Sequence, residues 1–181
     1  MAGNSGARTT YPALAVAIHW ITALCIFALV PVGVYMANMK EGPEQDRLFF
    51  WHESFGVLVL ALTIVRLGWK AAGGMPKPAA VLTSFERVAS QSAHGILYVL
   101  LLLTPIVGWL GVSAFGGDVD VFGLFTLPAI LAKDEALSDE IFNVHLACAI
   151  LIVLVVVAHV MGAIVHGMRG DGVNQRMLPG E

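Results

Sequence analysis

Charged residues are scarce in this 181-residue sequence, at 13 %, whereas hydrophobic residues make up 57 %. Soluble globular domains carry about a quarter charged residues, so a water-soluble fold is excluded and the surrounding solvent must be lipid. The formal net charge is -3. Because no excess of positive charge is present, a nucleic-acid-binding surface is excluded as well.

Cysteine is also rare, with Cys25 and Cys148 the two in the sequence. Each lies within a long apolar run, where a thiol packs as a small hydrophobe and is a poor candidate for a disulfide. No Cys-x-x-Cys-His stretch occurs, which excludes the covalent attachment of a c-type haem. Any haem must therefore be held by ligation and packing.

Long apolar runs, in contrast, are abundant. A hydrocarbon layer of ~30 Å requires about 20 helical residues, and we predict four spans at approximately residues 12–37, 48–69, 85–114 and 139–166. Backbone amides in lipid must be satisfied internally, so these runs are helices even where Val and Ile dominate. The sequence predicts an all-α, four-helix transmembrane bundle in which residues 1–181 form a single domain, and it shows no internal repeat.

Local signals mark the ends of these helices. Pro43 suits the first turn of the second helix, and the stretch from Thr83 to Glu86 predicts a capping box for the third. Ser138, with the two acidic residues after it, suits the start of the fourth helix. Gly167, together with Gly170, is predicted to end that helix.

The distribution of basic residues predicts the orientation of the bundle. Seven of the ten Lys and Arg residues fall on one side, namely Arg8, Arg66, Lys70, Lys77, Arg87, Arg169 and Arg176, and three on the other, namely Lys40, Arg47 and Lys133. The positive-inside rule then predicts that both termini are cytoplasmic. The loop between the third and fourth helices should be periplasmic.

All six histidines lie within or at the end of a predicted span: His19, His52, His94, His145, His159 and His166. One intramembrane histidine is often a hydrogen-bonded packing residue, but six together indicate a cofactor site. His145 and His159 are 14 residues apart, which is about four helical turns, so they share a face and stand ~21 Å apart along the axis. Depth in the membrane pairs His52 with His145 and His19 with His159.

Paired imidazoles at two depths are typical of low-spin, electron-transferring haems held between the helices of a bundle. Zinc is the competing metal. It is disfavoured because no His-Glu-x-x-His motif or tight Cys/His cluster occurs, and two ligands per depth leave a zinc site incomplete.

The stretches around these histidines resemble those of the bacterial cytochrome b561 family, which is related to the cytochrome b subunits of nickel-iron hydrogenases and formate dehydrogenases. The resemblance covers essentially the whole chain and rests on A-I-H-W ending at Trp20, H-E-S-F-G from His52, R-L-G-W from Arg66, A-H-G-I-L-Y from Ala93, P-I-V-G-W from Pro105, the three histidines of the fourth helix, and R-M-L-P from Arg176. It implies location in the bacterial inner membrane, two non-covalent haems b with the four paired histidines as axial ligands, and a quinone site.

His94 and His166 remain free on the predicted cytoplasmic side, where we expect them to bind the quinone head group and relay its protons. Alternatively, His166 is an interfacial residue or a partner of a haem propionate, and His94 packs against or supports a ligand. Arg66 is a candidate propionate partner because guanidinium binds carboxylate in two-pronged fashion, and otherwise it is a positive-inside anchor.

Five glycines could let a macrocycle or another helix approach closely, and helix packing is the simpler explanation for them: Gly56, Gly95, Gly108, Gly111 and Gly162.

The predicted function is that of a di-haem b transmembrane electron carrier, exchanging electrons between a periplasmic redox partner and membrane ubiquinone or menaquinone. One alternative is a superoxide oxidase, which passes electrons from superoxide to ubiquinone. Others are the cytochrome b subunit of a larger redox complex and, without redox chemistry, a small histidine-lined transporter. The acidic loop, with Asp118, Asp120, Asp134, Glu135, Asp139 and Glu140, disfavours an anionic substrate and favours a basic protein partner.

Overall fold

The computed structural model describes residues 11–74, 76 and 78–178. Within them four long helices follow one another: α1 (Ala13–Ala37), α2 (Pro43–Ala71), α3 (Ser84–Phe115) and α4 (Glu135–Arg169). An antiparallel β-hairpin of β1 (Val119–Val121) and β2 (Phe125–Leu127) lies between α3 and α4, and a 3-10 helix, Asn174–Met177, follows α4. All four helices are long and apolar enough to cross a membrane. The predicted all-α, four-span bundle is confirmed, and the chain is a multi-pass membrane protein.

Most of the predicted helix ends are confirmed in atomic detail. Thr83 Oγ1 accepts a hydrogen bond from the Glu86 amide at 3.2 Å, and Glu86 Oε2 accepts one from the Thr83 amide at 2.9 Å, which together form the predicted capping box. Pro43 occupies the first turn of α2, and Gly170, with a φ of 63°, ends α4 in the left-handed conformation. Gly167 lies within the last turn of α4 and does not end it.

The predicted start of α4 at Ser138 is wrong by about one turn. Asp134 is the N-cap, and its Oδ1 accepts from the Leu137 amide at 3.1 Å. Ser138 is buried, and its hydroxyl donates to the Gly111 carbonyl of α3 at 3.0 Å. Aspartate caps a helix as well as serine does, so the serine is available to join two helices.

The bundle has the apolar outer surface expected in lipid. Many large apolar side chains face outward, including Leu154 at 59 % exposure, whereas the most buried polar side chains are Thr22, Ser54, Thr63, Arg66, Thr104, Ser113 and Ser138. Small hydroxyl side chains let helices approach closely and hydrogen-bond between or within them. The interior therefore combines buried apolar side chains, such as Val59 and Leu100, with small hydroxyl groups that allow close packing and hydrogen bonds.

The β-hairpin, which the sequence did not predict, folds back against α2. The Ser54 hydroxyl donates to the Asp120 carbonyl at 3.1 Å and accepts from the Phe122 amide at 2.9 Å. Phe122 has a φ of 55°, and its ring packs against Phe55 with a centroid distance of 5.3 Å. We call this end of the bundle the loop side, and the end where α1 begins and α4 ends the tail side.

The predicted orientation remains a prediction, and two of the basic residues on which it rests, Arg8 and Lys77, lie outside the described residues. Pro179, the last residue of the R-M-L-P stretch, also lies outside them.

Candidate functional site

Four of the predicted site histidines form two facing pairs at two depths. On the loop side, the ring centroids of His52 on α2 and His145 on α4 are 6.2 Å apart, with the planes inclined at 65°. On the tail side, those of His19 on α1 and His159 on α4 are 6.3 Å apart, with an angle of 71°. The structure thus brings together both of the pairs predicted from depth.

This spacing suits one metal ion between two imidazoles. A metal–nitrogen bond is about 2 Å long, and each ring centre lies roughly 1 Å beyond its nitrogen, so two imidazoles on opposite sides of an ion have centroids about 6 Å apart. Among the described residues no group of three or more His, Cys, Asp or Glu side chains is arranged to hold a metal. Two axial nitrogens fit a cofactor that brings its own in-plane ligands, as haem does.

In the loop-side pair (His52 and His145) each ring lies beside a backbone carbonyl of a neighbouring helix. His145 Nδ1 lies 3.0 Å from the Thr104 carbonyl of α3. The Leu29 carbonyl of α1 lies beside the His52 ring, although His52 Nδ1 makes no hydrogen bond of ordinary geometry. A carbonyl can only accept, so the His145 contact puts a proton on Nδ1 and leaves the lone pair on Nε2, where it is available to bind a metal.

On the tail side four polar side chains, one from each helix, meet at one depth; we call His19, Arg66, His94 and His159 the tail-side ring. Arg66 Nη1 lies 3.0 Å from His19 Nδ1, and the His94 and His159 centroids are 5.0 Å apart. The distance between the His94 and His159 centroids is shorter than the centroid distance in either predicted ligand pair. It therefore favours His19 over His94 as the partner of His159 across an ion. His94 Nδ1 lies 2.6 Å from the carbonyl of Ser90, one turn earlier in α3.

Arg66 is a buried cation with incomplete hydrogen bonding. It is 9 % exposed, and its Nε has no hydrogen-bond partner among the described residues. Its guanidinium carbon lies 5.9 Å from the centre of the Tyr98 ring, and within the described part of the chain it takes part in no ion pair. A buried guanidinium without a carboxylate is costly, so the geometry fits an anionic group bound beside it.

His166 does not join the tail-side ring but pairs with Asp171, a residue that the sequence analysis missed. His166 Nδ1 lies 2.6 Å from Asp171 Oδ2, and both side chains are largely buried. The bond from His166 holds the pKa of the Asp171 carboxyl below its usual range. No hydrogen bond or ring contact joins His94 to His166 in the described ranges. The two predicted quinone residues therefore make no described contact with each other, although both lie on the tail side.

The segment after α4 folds back over the tail side of the bundle. The Met177 carbonyl accepts from Trp20 Nε1 at 2.8 Å, and Asn174 Nδ2 donates to the Ala163 carbonyl at 2.6 Å. The Val173 amide donates to Asp171 Oδ1 at 3.2 Å. These contacts fix the carboxylate against His166; the position of Asp171 directly after the predicted end of α4 was the available sequence signal.

The chain resembles known proteins over nearly its whole length. The profile of the family described as prokaryotic cytochrome b561 matches residues 10–180. Cytochrome b561 homolog 2 of Escherichia coli (strain K12) is 28 % identical over 176 residues, which cover 93 % of this chain and 90 % of that protein. Probable superoxide oxidase CybB of Yersinia pestis is 24 % identical over 174 residues, covering 93 % and 96 %. Cytochrome b562 of Cereibacter sphaeroides is 32 % identical over 113 residues, covering 59 % and 67 %.

Proposed function

We propose that this chain, which belongs to the prokaryotic cytochrome b561 family and is therefore a haem b-binding membrane electron carrier, holds two haems. It carries electrons between a redox partner at the loop side and quinone at the tail side. The observation that carries this proposal is the near-equal spacing of two imidazole pairs, 6.2 and 6.3 Å, at two depths of one bundle. The non-redox transporter interpretation is not proposed, since the family binds haem.

The proposed axial ligands are His52 with His145 and His19 with His159. The haems, when bound between these four histidines, would supply the exchange of single electrons. What the protein supplies is rigid placement of the four rings. The exchange of electrons across the bilayer then needs no movement of the helices.

Arg66 is the proposed partner of a haem propionate. Neutral His19 can bind iron through Nε2 only when Nδ1 carries the proton, and a guanidinium has no lone pair to accept that proton. When His19 binds iron, Arg66 can therefore no longer donate to His19 Nδ1 as it does here. Arg66 then needs a different hydrogen-bond acceptor. A propionate carboxylate supplies that acceptor and would also engage the free Nε.

The proposed quinone site uses His94 and the His166–Asp171 pair at the tail side. Reducing a quinone to quinol takes up two electrons and two protons, so the site needs groups that deliver protons. Asp171 orients His166 through the 2.6 Å contact to Nδ1 and leaves Nε2 free to face a substrate. His94, bound through Nδ1 to the Ser90 carbonyl, likewise keeps Nε2 free.

The proposed sidedness places the tail side in the cytoplasm of a bacterial inner membrane and the loop side in the periplasm. The supporting observation is the excess of Lys and Arg at the tail side. The loop-side partner is then a periplasmic redox protein with a basic surface, because Asp139 and Glu140 are exposed there and attract cations.

A superoxide oxidase is the second candidate, favoured by the Yersinia pestis relative named for that activity. Both functions would use the same haems and quinone and would differ in the donor at the loop side. The acidic loop favours the protein partner, since it repels a small anion.

A pyridine haemochrome assay, combined with a reduced-minus-oxidised spectrum of the purified chain, tests the proposal. We expect two haems b per chain, both non-covalent, and reoxidation of both by a soluble quinone. A stoichiometry of one would contradict the proposed double pairing.

A further inference from the structure

The two imidazoles of the loop-side pair pack against glycines on the neighbouring helices. A Cβ atom at Gly33 of α1 would lie 3.0 Å from Cε1 of His52. A Cβ atom at Gly108 of α3 would lie 3.1 Å from Cε1 and 3.2 Å from Nδ1 of His145. Such contacts are tighter than side chains normally make, so any larger residue at either position must displace the ring.

The same glycines lie one turn after the carbonyls that the rings approach. Leu29 precedes Gly33, and Thr104 precedes Gly108, in each case by one helical turn. In a helix the side chain of the later residue would cover the surface over the preceding turn. Without a side chain, the Thr104 carbonyl is open to His145 Nδ1 at 3.0 Å, and the Leu29 carbonyl is open to His52.

This correspondence extends over both halves of the chain. Four residues of α1 have counterparts in α3 at one and the same sequence separation. The pairs are Gly33 and Gly108, His19 and His94, Leu29 and Thr104, and Met36 and Gly111. Two residues of α2 likewise have counterparts in α4 at a common separation, namely His52 with His145 and Gln45 with Ser138.

The last of these correspondences is matched by equivalent contacts between helices. Gln45 Nε2 donates to the Met36 carbonyl at 2.9 Å, and the Ser138 hydroxyl donates to the Gly111 carbonyl at 3.0 Å. The α1–α2 and α3–α4 pairs are thus equivalent around the loop-side pair, which corrects the expectation of no internal repeat.

The equivalence stops at the tail side. Arg66 follows His52 by the same interval as His159 follows His145, so the first half has a cation where the second half has a candidate ligand. At the tail side, α1 and α3 contribute the rings of His19 and His94, whereas at the loop side the same two helices contribute Gly33 and Gly108. Among the described residues, the packing of a histidine ring on a glycine therefore occurs at the loop-side pair and not at the tail-side ring.

We propose that Gly33 and Gly108 are positioning residues that set the orientation of the two axial imidazoles at the loop-side haem, and thereby its spectrum and potential. This inference rests on the proposed function, since it assumes that His52 and His145 bind iron. The two glycines act through the histidines and touch no reacting atom.

The test compares Gly33→Ala and Gly108→Ala with a matched control, Gly95→Ala. Gly95 also lies in α3, and a Cβ atom there would meet nothing within 4 Å among the described residues. The readouts are the electron paramagnetic resonance signals of the low-spin ferric haems and a spectrally resolved redox titration. We expect each of the first two variants to shift the g-values and midpoint potential of the same haem, the one lost in His52→Ala, and to leave the other haem unchanged. Gly95→Ala should alter neither.

The unaffected haem reports that each variant is folded. Gly108→Val adds a stricter test, because the larger side chain should cause loss of the loop-side haem while the tail-side haem stays bound. If the wild-type chain holds two haems and both alanine variants match Gly95→Ala, the inference is wrong and the proposed function stands. If the wild-type chain holds a single haem, or if His52→Ala and His145→Ala remove different haems, the proposed function itself fails.

Discussion

The loop-side pair and the tail-side ring lie in the same bundle, yet they are built on different principles. The loop-side pair is symmetric and uncharged, with two imidazoles, two glycines and two backbone carbonyls in equivalent places. The tail-side ring is asymmetric and contains a buried guanidinium beside three imidazoles. A fixed, uncharged pair suits electron transfer alone, whereas a buried cation and imidazole nitrogens without a partner suit proton-coupled chemistry. The difference agrees with the separate tasks proposed for the two ends.

The largest expected effect comes from removing an axial ligand. His52→Ala and His145→Ala should each abolish the same haem, and His19→Ala and His159→Ala the other, because a site with one imidazole no longer holds a low-spin haem. Pyridine haemochrome counts should fall from two to one in all four variants, and difference spectra should sort them into those two groups. His94→Ala is the control and should retain both haems. Grouping of His94 with His159 would transfer the tail-side ligand from His19 to His94.

A smaller effect is expected at Arg66, which would distinguish the two ends electrostatically. Arg66→Gln should lower the midpoint potential of the tail-side haem, because removing a buried positive charge favours the more positive ferric state, and losing charge-assisted bonds costs about 1.5–3 kcal/mol. Lys70→Gln is a matched control, since Lys70 Nζ also lies over the Tyr98 ring, at 5.2 Å. Potentiometric titration measures both. Equal shifts of the two haems in Arg66→Gln would show a general effect rather than a propionate contact.

Next in size is the loss of the carboxylate that orients His166. Asp171→Asn should slow quinone reduction by about tenfold, the lower end of the cost of removing a group that orients a functional histidine. Both haem spectra should be unchanged, and the effect should appear in kcat more than in KM. Asp139→Asn, at the opposite end of α4, is the control. Equal losses in the two variants would contradict the assignment.

The same pair predicts a pH dependence. The pKa of Asp171 is lowered by the bond from His166, so the contact stabilises the fold at pH values above the ordinary aspartate pKa of about 3.9. That stabilisation is lost as the pH falls below this value and through the lowered pKa of the folded protein. Thermal melting of the wild type and of Asp171→Asn should therefore differ at neutral pH and converge in acid. His166 and Arg169 are the charged groups that act on this carboxylate.

The smallest expected effect concerns the acidic loop. Neutralising Asp118, Asp120, Asp134 and Glu135 should slow haem reduction by a basic cytochrome and speed reduction by superoxide, with both changes disappearing at high salt. Asparagine is the required replacement for the aspartates, because their side chains also accept backbone hydrogen bonds, for example from the Ala129 amide at 2.6 Å and the Gly123 amide at 2.8 Å.

The double variant Asp139→Asn with Glu140→Gln removes exposed charge at residues for which no bond from a backbone amide to the side chain is described. It therefore separates the effect of charge on the rates from any effect on the folding of the loop. Stopped-flow rates at two ionic strengths measure the effect. Fast superoxide reduction that neutralisation leaves unchanged would favour the superoxide oxidase function.

The helices could be predicted from sequence because lipid leaves the backbone a single solution at each apolar run. The Thr83–Glu86 capping box is a local pattern and was predicted correctly. The β-hairpin was missed because it depends on Ser54, a residue more than sixty positions away in α2. The misplaced start of α4 has the same origin, since Ser138 bonds to α3 instead of capping its own helix.

In the candidate site, the histidine pairs followed from depth, which sequence positions encode directly. The glycines did not. Gly108 was noted for close approach, but so were Gly56, Gly95 and Gly162, which have no side chain facing them within 4 Å among the described residues. Gly33 was not singled out from the sequence. Which glycine faces a ring depends on the rotation of each helix, and an almost uniformly apolar helix such as α1 carries little periodic signal for that rotation.

Each proposed ligand pair takes one histidine from the α1–α2 half and one from the α3–α4 half. Neither half alone can therefore complete an axial set. During biogenesis the first two helices can enter the membrane with one imidazole at each depth, and a second becomes available only when α4 has crossed. Under the proposed ligation, haem capture is then a late event that follows insertion of α4, and each haem joins two segments synthesised at different times.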